Sequence, residues 1–239
     1  MSPLTRVARM ALATFKDLCL DAADAERLGT FWAGALGLEL RAAGEDSNGD
    51  VLLVGPTPQH TVWVNQVPEP KTAKHRMHLD VNVGSVDELT RLGATVVDAE
   101  TFRWTLLADP EGGELCAFVR EGEIEQRLYE IVVASGDSAE ACHRIAAWWA
   151  EVLGARLVDD DGYSYIEDVP GAPYGSIDFV PVPEPKTAKN RVHLDVLTPD
   201  LDALVAAGAT VLRPQDDEIS WTVLADPDGN EFCAFVSED

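Results

Sequence analysis

Apolar and polar positions alternate along the chain in two different rhythms. In Phe15–Leu20, Leu18 and Leu20 fall on one side and Asp17, Cys19 and Asp21 on the other, the period-two pattern of a strand with one buried face. A 3.6-residue rhythm follows: Leu28, Phe31, Trp32 and Leu36 share a helical face, Asp24 is positioned as its N-cap, and Gly37 is positioned to end it. Three strand-like runs come next, Leu38–Arg41, Val51–Val54 and Thr61–Gln66. The order then restarts. Met77–Val83 predicts a strand, Ser85 with Glu88 a capping box for a helix closed by Gly93, and Thr95–Val97, Phe102–Leu107 and Glu114–Val119 three more strands. Further on, Thr198 and Pro199 are expected as N-cap and first residue of a helix that Gly208 ends.

The chain repeats itself. VPEPKTAKHRMHLDV at 67–81 returns as VPEPKTAKNRVHLDV at 182–196, with 13 of 15 letters shared. WTLLADPEGGELCAFV at 104–119 returns as WTVLADPDGNEFCAFV at 221–236, with 12 of 16 shared, and FWAGALGLEL (31–40) matches WWAEVLGARL (148–157). Two copies of about 115 residues, a normal domain size, meet near the charged joint Arg120–Arg127. The expected domains are 1–122 and 123–239, each holding two βαβββ modules. Runs of strands interrupted by single helices place the chain in the α+β class.

Alternation also sorts the chemistry. In each HLDV strand, Leu79 and Val81 (Leu194 and Val196) form the apolar set, while His78 and Asp80 (His193 and Asp195) face the other way. In the last strand of each copy, Leu115, Ala117 and Val119 oppose Glu114, Cys116 and Phe118, and copy two presents Glu231, Cys233 and Phe235 likewise. The segments DPEGG and DPDGN have the residues of a type I turn followed by a positive-φ glycine, and so of a hairpin.

These phrases, with the D…FW…LG helix and the ADP-x-G-x-E-x-C ending, resemble the glyoxalase/bleomycin-resistance superfamily, also called the vicinal oxygen chelate fold, and within it the actinobacterial glyoxalase-like domain proteins. The resemblance implies four βαβββ modules in two tandem domains with curved, mixed or antiparallel sheets, and a cleft for a small molecule, often over a divalent metal. Carried over by position, it implies metal ligands Asp17, His78 and Glu114 in copy one and Glu130, His193 and Glu231 in copy two. The family usually has His or Gln where Asp17 and Glu130 stand. Asp178 occupies the position of Trp63 in copy one, where the family often has a further glutamate. One imidazole and two carboxylates per copy suit Mn²⁺, Fe²⁺ or Mg²⁺, with Zn²⁺ possible; several members of the superfamily bind their ligands with no metal.

Two functions follow from the resemblance. One is a metal-dependent lyase, isomerase or dioxygenase in which Asp80 or Asp195 moves a proton. The other is a metal-free protein that sequesters an antibiotic or other small metabolite in a cleft lined by Trp104, Phe118, Trp221 and Phe235. Cys116 and Cys233 read as small fillers of the cavity wall, and Trp148 and Trp149 as helix core. The basic residues Lys71, Lys74 and Arg76, with their counterparts Lys186, Lys189 and Arg191, either neutralise local carboxylates or mark an anionic ligand.

Composition narrows the partners. With 18 basic and 42 acidic residues the formal charge is −24. That repels a phosphate backbone and an anionic bilayer, so neither nucleic acid nor membrane is expected as a partner. Arg6 and Arg9 are followed by only Met10–Phe15 before Lys16, too short a stretch for an export signal, and the four cysteines have no CxxC spacing. A cytoplasmic protein with free thiols is expected, either a monomer with an internal pseudo-dimer or a homodimer.

Overall fold

The computed structural model describes residues 11–44 and 47–237; Arg6, Arg9 and Met10 lie outside the described residues. Four modules follow one another. The first is β1 (Thr14–Ala22), α1 (Ala25–Leu36), β2 (Glu39–Ala42), β3 (Val51–Val54) and β4 (Val62–Gln66). The second is β5 (Met77–Val83), α2 (Val86–Leu92), β6 (Thr95–Asp98), β7 (Thr105–Ala108) and β8 (Glu114–Val119). The third is β9 (Leu128–Ala134), α3 (Ala139–Leu153), β10 (Arg156–Asp160), β11 (Tyr163–Glu167) and β12 (Ser176–Val180). The fourth is β13 (Val192–Thr198), α4 (Leu201–Ala206), β14 (Thr210–Arg213), β15 (Thr222–Ala225) and β16 (Glu231–Val236).

Local chemistry accounts for most element ends. The Asp24 carboxylate accepts the Arg27 N–H at 3.0 Å, and Gly37 takes φ 70° past the last turn of α1. Two expected caps differ. The Ser85 side chain makes no capping bond; Glu88 instead reaches back to the Gly84 N–H at 3.0 Å, because its second oxygen is held by Arg127. The N-cap of α4 is Asp200, whose carboxylate accepts the Ala203 N–H, while Thr198 remains the last residue of β13 and its hydroxyl accepts the Asp200 N–H. The strand expected from Phe102 begins at Thr105, since Phe102 and Trp104 stack on each other ahead of it. Gly112 and Gly229 take φ 81° and 83°, as their hairpins require.

The strands form two open, mixed, eight-stranded sheets, ordered β14-β15-β16-β13-β1-β4-β3-β2 and β10-β11-β12-β9-β5-β8-β7-β6. The first sheet joins modules one and four; the second joins modules two and three. Each sequence copy thus contributes half of each sheet. At the centre of both lies one antiparallel pair, β1 with β13 and β5 with β9.

Both central pairs carry a one-residue bulge. Phe15 pairs with Val196 but Asp17 with Asp195, which leaves Lys16 as the extra residue. Leu128 pairs with Val81 but Glu130 with Asp80, which leaves Tyr129. Such an insertion swaps the face of everything beyond it. Phe15 and Leu18, three apart, can both enter the core, as can Leu128 and Ile131. Asp17 and Glu130, which strict alternation would place beside Phe15 and Leu128, turn to the helix-free face.

The shared sheets predict how the chain behaves when cut. Fragments 1–122 and 123–239, produced separately, are expected not to be folded monomers, and to reassemble into a one-to-one complex when mixed. Light scattering coupled to gel filtration measures this; a compact monomer from either fragment alone would contradict it.

Candidate functional site: two acidic recesses

On the helix-free faces, Asp17, Asp80, Asp195 and His193 are only 4–5% exposed. A flat, wet sheet face would leave such groups in water. Each sheet therefore holds at its centre a water-shielded polar cluster, or recess, carried by the strands that pair there.

In the β1–β13 recess, Asp17, Cys19 and Asp21 lie opposite His193 and Asp195, with Cys233 on the adjoining strand. Two lysines reach into it. Lys16, the bulge residue, places Nζ 2.6 Å from Asp17 Oδ2 and 4.3 Å from the centre of the Phe235 ring. Lys189 pairs with Asp21 at 2.7 Å. Burial, then the charge of Asp195, pushes the Asp17 carboxyl up to about 6 despite Lys16. Burial pushes the Cys19 thiol up to about 11, so it is neutral near pH 7. Burial opposes charge on His193, but its neighbours, among them Asp195 at 3.3 Å from Nδ1, hold it above its ordinary value.

The β5–β9 recess has the same skeleton and different charges. His78 and Asp80 take the places of His193 and Asp195, Cys116 that of Cys233, and Glu130 that of Asp17. Tyr129 stands where Lys16 does. Asp178 on β12 takes the position of Trp63 on β4. Burial, then the charge of Asp178 and also that of Asp80, lifts the Glu130 carboxyl to about 7. Burial lifts Asp178 to about 6, against a 2.6 Å hydrogen bond from the Ser176 hydroxyl.

His78 Nδ1 lies 2.8 Å from Asp80 Oδ1, yet the approach is too bent for a hydrogen bond, and both atoms are buried without a hydrogen-bond partner. Orphaned buried atoms of this kind are costly unless something else meets them. Donor atoms of His78, Asp80 and Cys116 lie within 4.8 Å of one another, as do those of His193, Asp195 and Cys233, and of Cys19, Asp21 and His193. An imidazole, a carboxylate and a thiol fit a borderline divalent cation such as Zn²⁺ or Fe²⁺.

The expected ligand sets are thus regrouped. Asp17 was expected with His78 and Glu114, and Glu130 with His193 and Glu231. Because the central strands pair across the copies, Asp17 meets the His193 strand and Glu130 the His78 strand. Glu114 and Glu231 serve the repeated loops instead. Glu114 accepts from Lys71 Nζ (3.1 Å) and the His75 N–H (3.0 Å); Glu231 accepts from Lys186 Nζ (2.6 Å) and the Asn190 N–H (3.1 Å). Cys116 and Cys233 join the donor groups rather than serving only as filler. Asp80 and Asp195 lie on the floors. Trp104 stacks on Phe118, which meets Tyr129 edge-on, with Arg120 over both Phe118 and Tyr129; Trp221 lies against Phe235. All four cysteines are free and buried. Among the described residues no helix is long and apolar enough to cross a membrane.

The family described as Glyoxalase-like domain matches residues 17–118 and again 131–235. No curated protein matches the chain in sequence. Glyoxalase I from maize (Zea mays) has a similar structure, with a TM-score of 0.67 at 15% identity over 93% of this chain and 92% of that one. A point mutant of the same maize enzyme superposes with a TM-score of 0.69 at 14% identity, over 94% of both chains. A protein from Bacillus subtilis described as a dioxygenase by assignment matches with a TM-score of 0.62 at 15% identity, over 96% of this chain and 86% of that one. At these identities the likeness is one of fold.

The raised Glu130 carboxyl makes a pH-dependent prediction. Folding lifts it from 4.5 to about 7, so the native state favours its protonated form. That contribution is complete below about pH 4.5 and is lost as pH rises through about 7. In chelator-treated protein the stability advantage of Glu130→Gln over the parent should therefore grow between pH 5 and pH 8, by about 2–4 °C in Tm. Scanning calorimetry at the two pH values reads it; a pH-independent difference would mean that Glu130 is not held in this state.

Proposed function

The chain belongs to the glyoxalase-like domain family, and from that premise we propose that it binds a small organic molecule in the β5–β9 recess, over a divalent cation held by His78, Asp80 and Cys116 with Glu130 facing them, and acts as a lyase, isomerase or dioxygenase. The observation that carries this reading is the unbalanced acid of that recess. Glu130 and Asp178 are pushed up to about 7 and about 6 beside Asp80, and among the described residues neither Glu130 nor Asp178 has an ion pair. Unpartnered carboxylate oxygens occur in both recesses, on Asp80 here and on Asp17 and Asp195 in the other. In the other recess Lys16 and Lys189 already sit on Asp17 and Asp21. A lysine does there, for a buried carboxylate, what an ion would do here.

When bound, the cation supplies Lewis acidity toward vicinal oxygens of the substrate. The remaining work falls to side chains. Asp178 is half-buried and titrates near pH 6, so it can hold or accept a proton at neutral pH, better suited to that task than the fully buried Asp80. Trp104 and Phe118 offer flat apolar faces that orient a substrate and keep water from it. Cys116, whose thiol burial pushes well up, has to lose its proton to become a ligand, so cation binding should release protons.

One observation favours a second reading. Phe102, Trp104, Phe118 and Tyr129 form a continuous aromatic ladder beside the same recess. That wall would hold a flat ligand without any metal, as a sequestering protein requires.

Titration calorimetry of chelator-treated protein with Zn²⁺ and with Mn²⁺ separates the readings. One tight site is expected, its affinity lowered about tenfold or more by His78→Ala and by Asp80→Asn and unchanged by His193→Ala. Tyr129→Lys should weaken it as well, by setting an ammonium group beside Glu130. No heat from either metal, together with tight binding of a planar aromatic compound, would establish sequestration instead.

A further inference from the structure

The two copies of the VPEPKTAK phrase face each other. Arg76 donates to the Glu184 carbonyl at 2.6 Å, and Arg191 donates to the Glu69 carbonyl at 2.8 Å. Between the loops lies a cavity of about 610 Å³, within the usual range for small-molecule sites. None of the acidic residues flooring either recess at Asp17, Asp80, Asp195, Glu130 or Asp178 lines it. Its wall is apolar at Pro70, Ala73, Pro185 and Ala188 and cationic at Lys74, Arg76, Lys189 and Arg191; Asp21, Glu69 and Glu184 are its acids.

The cavity is symmetric in backbone and asymmetric in charge. Asp21 N–H donates to the Arg191 carbonyl at 2.7 Å, and Ala134 N–H to the Arg76 carbonyl at 2.6 Å, so Asp21 and Ala134 stand at equivalent places on opposite walls. On the Asp21 side each cation has a partner: Lys189 meets Asp21 at 2.7 Å and Arg191 meets Glu111 at 3.4 Å. On the other side neither partner is in place. Ala134 replaces Asp21, and the shorter Asp228 replaces Glu111 in the DPDGN turn, feeling the charge of Arg76 without pairing with it. Among the described residues Lys74 has no ion pair or hydrogen bond, and Arg76 Nε is buried without a partner. In a chain of net charge −24, two adjacent cations left without an ion-pair partner are out of keeping with simple local neutralisation.

We propose that the cavity between the two loops is a second ligand site, for a small organic anion whose carboxylate or phosphate is held by Lys74 and Arg76 and whose apolar body rests on the proline and alanine walls. A planar, forked guanidinium is suited to an oxyanion, and the neighbouring ammonium adds a point charge. The cavity adjoins the β1–β13 recess through Asp21 and Lys189, while Lys74 and Arg76 are not among the proposed cation ligands.

Benzoate, a carboxylate on an apolar ring, is the probe. Its titration into full-length ¹⁵N-labelled protein is followed by amide shifts. Saturable shifts confined to the loops at 70–76 and 185–191 are expected. Lys74→Ala should weaken them about tenfold or more, since it removes a charge-assisted contact. Ala134→Asp should do the same by giving Lys74 the internal partner that Lys189 has. Asp21→Ala, which frees Lys189, should strengthen binding. The exposed position of Lys74 keeps the first variant folded. Absence of saturable shifts in these loops, or equal affinity in the parent, Lys74→Ala and Ala134→Asp, would overturn the proposal.

Discussion

The antiparallel pairing of β1 with β13 and of β5 with β9, with one bulged residue in each, governs the rest of the molecule. It brings modules from opposite halves of the chain into one sheet. It turns Asp17 and Glu130 away from the core and sets them against Asp195 and Asp80. A slip by one residue would bury those acids among Phe15, Leu18, Leu128 and Ile131, where an unpaired carboxylate is very costly. Core packing and site chemistry thus depend on the same register.

The bulge also explains why two nearly identical scaffolds carry different chemistry. Its extra residue sits next to the first-strand acid. Lysine there neutralises the acid from within; tyrosine leaves it to be balanced otherwise. The contrast extends to Asp178 against Trp63 and to Ala134 against Asp21. The first-strand sequences of the two sheets share no residue at aligned positions, and these differences move charge as well as shape between the two recesses.

Much of the fold was legible in the residues. The period-two runs, the Asp24 cap, Gly37 and the DP-x-G turns are local signals, and local chemistry settled them. The face assignment of His78, Asp80, His193 and Asp195 also followed from alternation alone. Which module pairs with which did not, because nothing in a strand's own sequence names its partner, and so the ligand sets were assembled within copies. Glu114 and Glu231 illustrate the same limit: their role depends on a loop some forty residues earlier folding back so that an amide N–H and a lysine reach each carboxylate. The cysteines alternated with Glu and Phe on the correct face, a signal that was present and read as packing.

Thr198 has a consequence for the topology of the whole. Its hydroxyl donates to the Leu12 carbonyl at 2.8 Å, and its own carbonyl accepts the Ser237 N–H at 3.0 Å. Residues near both extremities of the described chain are therefore fastened to one threonine, and the backbone runs almost as a closed loop. In such an arrangement the order of the modules along the gene is a convention of where the loop is opened: a circular permutant starting in the Arg120–Arg127 segment would ask the same strands to find the same neighbours.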